Sequence, residues 1–222
     1  MKMRTVALTI LCLTLAGIPA SAQNWSYDNG PINGTTDAWT INFGFLVSDS
    51  FVAQGSNVTG LSFGVWEFSG DVMTSVDWSI NSEENSGMLY GSGTASGKNL
   101  TDTFISSNQY GYDIDLITVT GLNVNGLTTD KRYWLTLQNA LVPSGNLVFW
   151  DENSGIDCES SGCPSLASEG ALGTLPSEAF TIGGGCGAGN NSPCGTTPEP
   201  SSIMLFGSGI LGLVGVLRRK LF

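Results

Sequence analysis

The chain contains no histidine, and that absence removes more chemistry than any residue present supplies. Ser-His-Asp and Cys-His catalysis, His-liganded zinc and the ordinary neutral-pH proton shuttle are all excluded. Cations are scarce as well: eight Lys and Arg against nineteen Asp and Glu give a formal net charge of −11. Between Gln23 and Thr197 only Lys98, Lys131 and Arg132 oppose eighteen acidic residues, leaving about −15 on that stretch. A charge of that sign repels nucleic acid and anionic headgroups, so nucleic acid is not a partner. No segment before the C-terminal tail shows a sustained helical period. Catalysis by paired carboxylates has little to stand on. Glycosidases need two carboxyls about 5–10 Å apart, one of them with a raised pKa. Asp113 and Asp115 meet the distance, yet they alternate outward from an apolar face and read as ordinarily solvated. The chain is therefore expected not to be an enzyme.

What is present begins with the N-terminus. Lys2 and Arg4 form a charged n-region, Val6 to Gly17 an apolar core, and Pro19 breaks the helix before Ala20-Ser21-Ala22. Small residues at Ala20 and Ala22 are those a signal peptidase requires, so residues 1–22 read as a signal peptide that leaves Gln23 as the new terminus. The apolar core is shorter than the ~20 residues of a membrane span.

Residues 23–182 read as one all-β domain. Val72, Thr74, Val76, Trp78 and Ile80 alternate on one face, as do Tyr112, Ile114 and Leu116, and Tyr133, Leu135 and Leu137. That period of two marks half-buried strands. Further strands are expected at Trp39–Val47, Leu61–Phe68, Met88–Ala95, Leu147–Trp150 and Ala179–Ile182, separated by Gly-, Asn- and Ser-rich breaks. The expected architecture is an antiparallel two-sheet β-sandwich of jelly-roll type, with other sandwich topologies left open. Residues 183–197, GGGCGAGNNSPCGTT, bury nothing and read as a Gly-rich linker.

Four cysteines follow the signal segment: Cys158, Cys163, Cys186 and Cys194. In an exported chain they suggest two disulfides. The local pairs Cys158–Cys163 and Cys186–Cys194 are favoured because each brackets a turn-rich segment; a four-thiolate zinc site is the rival. Asp151, Asn153 and Asp157 offer several hard oxygens around a Gly turn, as a calcium loop would, although Gly155 falls at a ligand position and no Glu closes the loop. A plain polar turn is the alternative. Trp150 and Trp134 are the candidate rings for stacking on a sugar, with core packing as the competing explanation for any one ring.

Residues 198–222 carry three parts in order. Pro198-Glu199-Pro200 holds an extended, accessible backbone; an uncharged Gly-rich run covers about 201–217; and Arg218-Arg219-Lys220 follows. The cations complement the C-terminal end of a helix and hold it on the cytoplasmic side of a bilayer. The run is short for a span, and its four glycines permit close helix approach, either to a multi-helix membrane enzyme or to a second copy.

This tripartite tail resembles the PEP-CTERM family of exported bacterial proteins. The resemblance implies recognition by an exosortase, a membrane-embedded transpeptidase-like enzyme, with cleavage near Pro198-Glu199-Pro200. It further implies a protein anchored in the inner membrane before processing and then placed on the cell surface or in the extracellular matrix, with a link to extracellular polysaccharide. A plain C-terminal anchor remains the alternative for the tail. For the domain, a structural or adhesive role stands first and a carbohydrate-binding module, calcium-assisted or without cofactor, second.

Overall fold

Alternating apolar side chains along short segments separated by glycine turns produce the strands the sequence suggests, and several more. The computed structural model describes residues 25–153 and 167–184. Within them lie thirteen strands: β1 (Trp25–Asp28), β2 (Ala38–Thr40), β3 (Leu46–Val52), β4 (Asn57–Phe68), β5 (Ser75–Glu83), β6 (Ser86–Ser96), β7 (Leu100–Ser107), β8 (Tyr112–Asn125), β9 (Arg132–Leu141), β10 (Phe149–Asp151), β11 (Ala167–Glu169), β12 (Gly173–Leu175) and β13 (Phe180–Gly183). A single 3-10 turn, Gly97–Asn99, joins β6 to β7.

The strands form two sheets, and every pairing is antiparallel. In the first sheet the long β4 is central. One of its edges pairs with β8, which pairs in turn with β7. Its other edge is shared by two short strands, β13 against Gly60–Phe63 and β10 against Val65–Trp66, with β1 and β2 beyond them. The second sheet runs β12-β11-β3-β9-β5-β6.

One apolar cluster takes residues from both sheets. Leu61, Phe63, Val65, Ile117 and Val119 come from β4 and β8; Val47, Phe51, Val76, Trp78, Ile80, Leu135 and Leu137 come from β3, β5 and β9. Register explains the alignment. Leu61 faces Val119 and Phe63 faces Ile117 across the first sheet, and residues directly opposite project to the same face.

The opposite face of β4 is covered by the loop between β1 and β2. A Cβ on Gly64 would lie 2.7 Å from Ile32 Cγ1, so only glycine lets this loop approach. Asp151 at the end of β10 holds the loop in place. Its Oδ2 accepts from the Asn33 backbone N–H (2.8 Å), and its Oδ1 accepts from the Gly34 N–H (3.0 Å) and Trp66 Nε1 (2.5 Å).

Several expectations are corrected. Trp39–Val47 is not one strand: β2 ends at Thr40 and a turn with Phe43 at φ 55 and Gly44 at φ 89 precedes β3. Val72 does not share the buried face of Val76, Trp78 and Ile80. It is 55 % exposed while Met73 is buried, because residues 69–74 cross from the first sheet to the second and β5 starts only at Ser75. Strand β7 was not anticipated, since LTDTFISS alternates weakly and most of its side chains are exposed at a sheet edge. Strand β13 extends to Gly183, the first residue of the expected linker. Among the described residues no helix is long and apolar enough to cross a membrane; the run at 201–217 lies outside them.

Trp150 fills the centre of the cluster. It is fully buried, makes edge contacts with Phe63 and Phe180, and donates its Nε1 hydrogen to the Ala179 carbonyl at 3.0 Å. Trp150→Ala is expected to cost about 3–5 kcal/mol of stability, measured by chemical denaturation of the full-length chain.

Candidate functional site

The apolar rows on the core face of the first sheet end in carboxylates. Along β4 the inward series is Leu61, Phe63, Val65 and then Glu67; along β8 it is Val119, Ile117 and then Asp115 and Asp113. Across from Ile117 on β7 stands Asp102. Three adjacent strands therefore deliver Glu67, Asp102 and Asp115 to one place, where one oxygen of each lies within 4.8 Å of the others. Glu67 is 0 % exposed and Asp115 is 3 % exposed, whereas Asp102 is half-buried.

Donors reach the three unequally. Asp102 Oδ2 accepts from the Met73 backbone N–H at 2.6 Å, which ties β7 to the crossover between the sheets. Neither carboxylate oxygen of Glu67 has a hydrogen-bond partner. Two further acids stand at the rim with their own donors. Asp113 accepts from the Gly70 N–H (3.0 Å) and Ser107 Oγ (2.9 Å), and Asp71 from Ser144 Oγ (2.8 Å) and Asn146 Nδ2 (2.9 Å).

The proton affinities follow from these surroundings. Burial pushes Glu67 up to about 8, reinforced by the negative fields of Asp102, Asp115, Asp71 and Asp113. Burial likewise lifts Asp115 to about 6, with Asp102 and Asp113 adding to it. Asp102 is raised by burial despite its hydrogen bond from Met73. Asp113 is lowered, first by the Gly70 N–H and then by the Ser107 hydroxyl. Without a compensating cation, the cluster retains protons at a pH where ordinary carboxyls have lost them.

The sequence reading placed Asp113 and Asp115 on an outward, solvated face, and for Asp115 this is wrong. Tyr112, Ile114 and Leu116 set the phase there, but Ile117 and Val119 share the parity of Asp115 and belong to the core. Apolar residues occupy both faces of β8, so a short window read the wrong side. The signal available was the same-parity series Asp113, Asp115, Ile117, Val119. Asp102 was out of reach because β7 went unrecognised.

The anticipated site residues fare differently. Asp151 is fully buried and its oxygens are occupied by three N–H donors, so it is a strap for the loop above it and not an open calcium ligand. Asn153 turns its Nδ2 to the carbonyls of Asn29 and Glu178 (2.9 Å to the latter). Asp157 lies outside the described residues. Trp150 is enclosed in the core and cannot stack on a sugar. Trp134 is half-buried on the opposite face of β9 from Tyr133 and Leu135, in register with Ser50 and Asn81. The four cysteines, Ala20, Ala22 and Gln23, Pro198-Glu199-Pro200 and Arg218-Arg219-Lys220 all lie outside the described residues.

An all-β, antiparallel two-sheet domain is thus the class that the described residues define. The chain also carries a PEP-CTERM protein-sorting motif, whose family model matches residues 196–220. That motif is the mark of an exported protein directed to an exosortase, with a membrane-associated C-terminal sorting signal. No curated protein matches the chain.

A pH prediction follows from the cluster. For both Glu67 (about 8) and Asp115 (about 6) the folded-state pKa stands above the unfolded value. The folded state then holds more protons than the unfolded, and stability falls as pH rises through these values. In metal-free buffer the melting temperature is expected to drop from pH 5 to pH 8, and Glu67→Gln to flatten the part of the drop above about pH 6. An unchanged slope in that variant would show that Glu67 does not retain its proton.

Proposed function

We propose that this chain is a non-catalytic exported surface protein, delivered through a signal peptide at residues 1–22 and handled by an exosortase at its tail. The match of residues 196–220 to the sorting motif carries the reading. In it, residues 201–217 form the transient membrane helix, Arg218-Arg219-Lys220 stay cytoplasmic, and Pro198-Glu199-Pro200 is the processing site. The β domain then remains as a structural or adhesive component of the envelope or the extracellular polysaccharide matrix. Two antiparallel sheets contributing to one apolar cluster support a β-sandwich for that domain, for which we retain the jelly-roll topology. Two local disulfides, Cys158–Cys163 and Cys186–Cys194, suit its oxidising destination.

Mass spectrometry of the termini of protein recovered from its native cells tests this directly. The expected mature chain starts at Gln23 and lacks everything beyond the Pro-Glu-Pro triplet. An intact Phe222 would make the tail a plain anchor.

A carbohydrate-binding module is the second reading, and Trp134 favours it. Its partly exposed side chain lies in register with the partly exposed Asn81, a flat apolar group beside a hydrogen-bonding one as pyranose rings require, whereas Ser50 and Thr136 on that face are buried. Under this reading Trp134→Ala abolishes retention on a glycan array with less than a few degrees' change in melting temperature. An array that the parent chain leaves dark would keep the structural role ahead.

A further inference from the structure

We propose that Glu67, Asp102 and Asp115 form a divalent cation site that takes Ca²⁺. The inference goes beyond the sorting reading and does not depend on it. Its foundation is Glu67, a side chain with no exposed surface and two oxygens that no donor reaches, aimed at two further carboxylates. An acid left without donors in a packed interior is among the costlier arrangements a fold can contain. A cation coordinated by all three groups removes that cost in one step.

The donor set selects the metal. All three ligands are carboxylates, and the chain has no histidine to favour zinc, copper or nickel. Among the hard cations, tolerance of an irregular shell decides. Three carboxylates from three strands converge with one oxygen of each within 4.8 Å of the others, and calcium accepts such mixed mono- and bidentate carboxylate shells at about 2.4 Å. Magnesium, at about 2.1 Å, demands a regular octahedron and gives up its waters reluctantly. Three carboxylates supply at most six oxygens, and solvent entering beside half-buried Asp102 completes the shell.

The position gives such an ion a mechanical effect. Glu67, Asp115 and Asp102 belong to β4, β8 and β7, so one ion links the central strand to the sheet edge. Through Met73 it also reaches the crossover into the second sheet. Strand β7 has few buried side chains of its own, so cross-linking it in this way would add most where packing adds least. Asp71 and Asp113, both partly exposed, add their negative fields at Glu67 and so favour a cation there. An affinity of about 0.1–1 mM, usual for extracellular calcium modules, would keep the site empty in the cytoplasm and filled after export.

The test uses the full-length chain in detergent, stripped with a chelator and then dialysed to equilibrium against CaCl₂ or MgCl₂, with thermal melting in parallel. The parent is expected to bind one Ca²⁺ and to melt higher in calcium. Glu67→Gln and Asp115→Asn should each weaken binding at least tenfold and abolish the calcium-dependent shift, whereas Asp113→Asn should change the affinity by less than about threefold. Glu67→Gln preserves shape and removes a buried ionisable group, so it should fold as well as the parent without calcium, as circular dichroism will show. Should it not fold, Asp102→Asn at the half-exposed position carries the same expectation. No saturable binding by 10 mM Ca²⁺, binding that survives all three cluster substitutions, or tighter binding of Mg²⁺ would each overturn the proposal.

Discussion

Burying carboxylates in a domain with almost no positive side chains is the constraint around which this structure is arranged. Three cations serve eighteen acids between Gln23 and Thr197, so ion pairing is not a general solution, and each interior acid must be settled in another way. Asp151 is settled by three N–H donors, which convert its charge into the tie that fastens the β1–β2 loop across the sheet. Glu178 is pushed toward its neutral form. It is fully buried and its two oxygens lack donors. Burial, followed by the fields of Asp49, Glu152, Asp151 and Asp37, raises its pKa well above the usual range. Glu67 lacks the donors of Asp151 and faces two more carboxylates at the margin of the core.

The placement of these acids follows from topology. Strand β4 gives one edge wholly to β8 and divides the other between β13 and β10, so segments far apart in sequence meet along it. Asn29, Asp49, Ser177 and Glu178 are joined by one hydrogen-bonded group. Asn29 Nδ2 donates to Asp49 Oδ2 (3.1 Å), Ser177 Oγ (2.8 Å) and the Glu178 carbonyl (2.7 Å), and the Glu178 backbone N–H donates to Asp49 (2.7 Å). This buried polar group fastens β1 and β3 to the segment before β13, where an apolar core would specify register less sharply. The carboxylate cluster lies at the Phe68 end of β4, beside the crossover to the second sheet.

Much of the fold was legible in the sequence because half-buried strands announce themselves by alternation. The β5, β8 and β9 segments were found in this way, those of β4 and β6 were set off by Gly-, Asn- and Ser-rich breaks, and Val76, Trp78, Ile80, Tyr133, Leu135 and Leu137 are buried as their spacing implied. Short strands were missed: β1, β11 and β12 have three or four residues, too few for a period to show. Trp150 and Asp151 were noticed for their chemistry and turned out to serve packing. Their neighbours, Phe63, Phe180 and the adjacent pair Asn33-Gly34, come from three distant places in the chain, and no local window contains them.

The sequence by itself determined that this protein carries a sorting address and what chemistry it lacks. Address signals are read as linear segments, so the motif at 196–220 needs no folded context, and an absent histidine is absent in any conformation. Tertiary structure alone decided which acids are interior. Glu67, Asp102 and Asp115 are separated by 35 and 13 positions along the chain, and only the register of β4 against β8 and of β8 against β7 brings them together. An acidic residue reads the same on either face of a strand. Whether it is a solvated charge or a potential ligand depends on what the neighbouring strands place beside it.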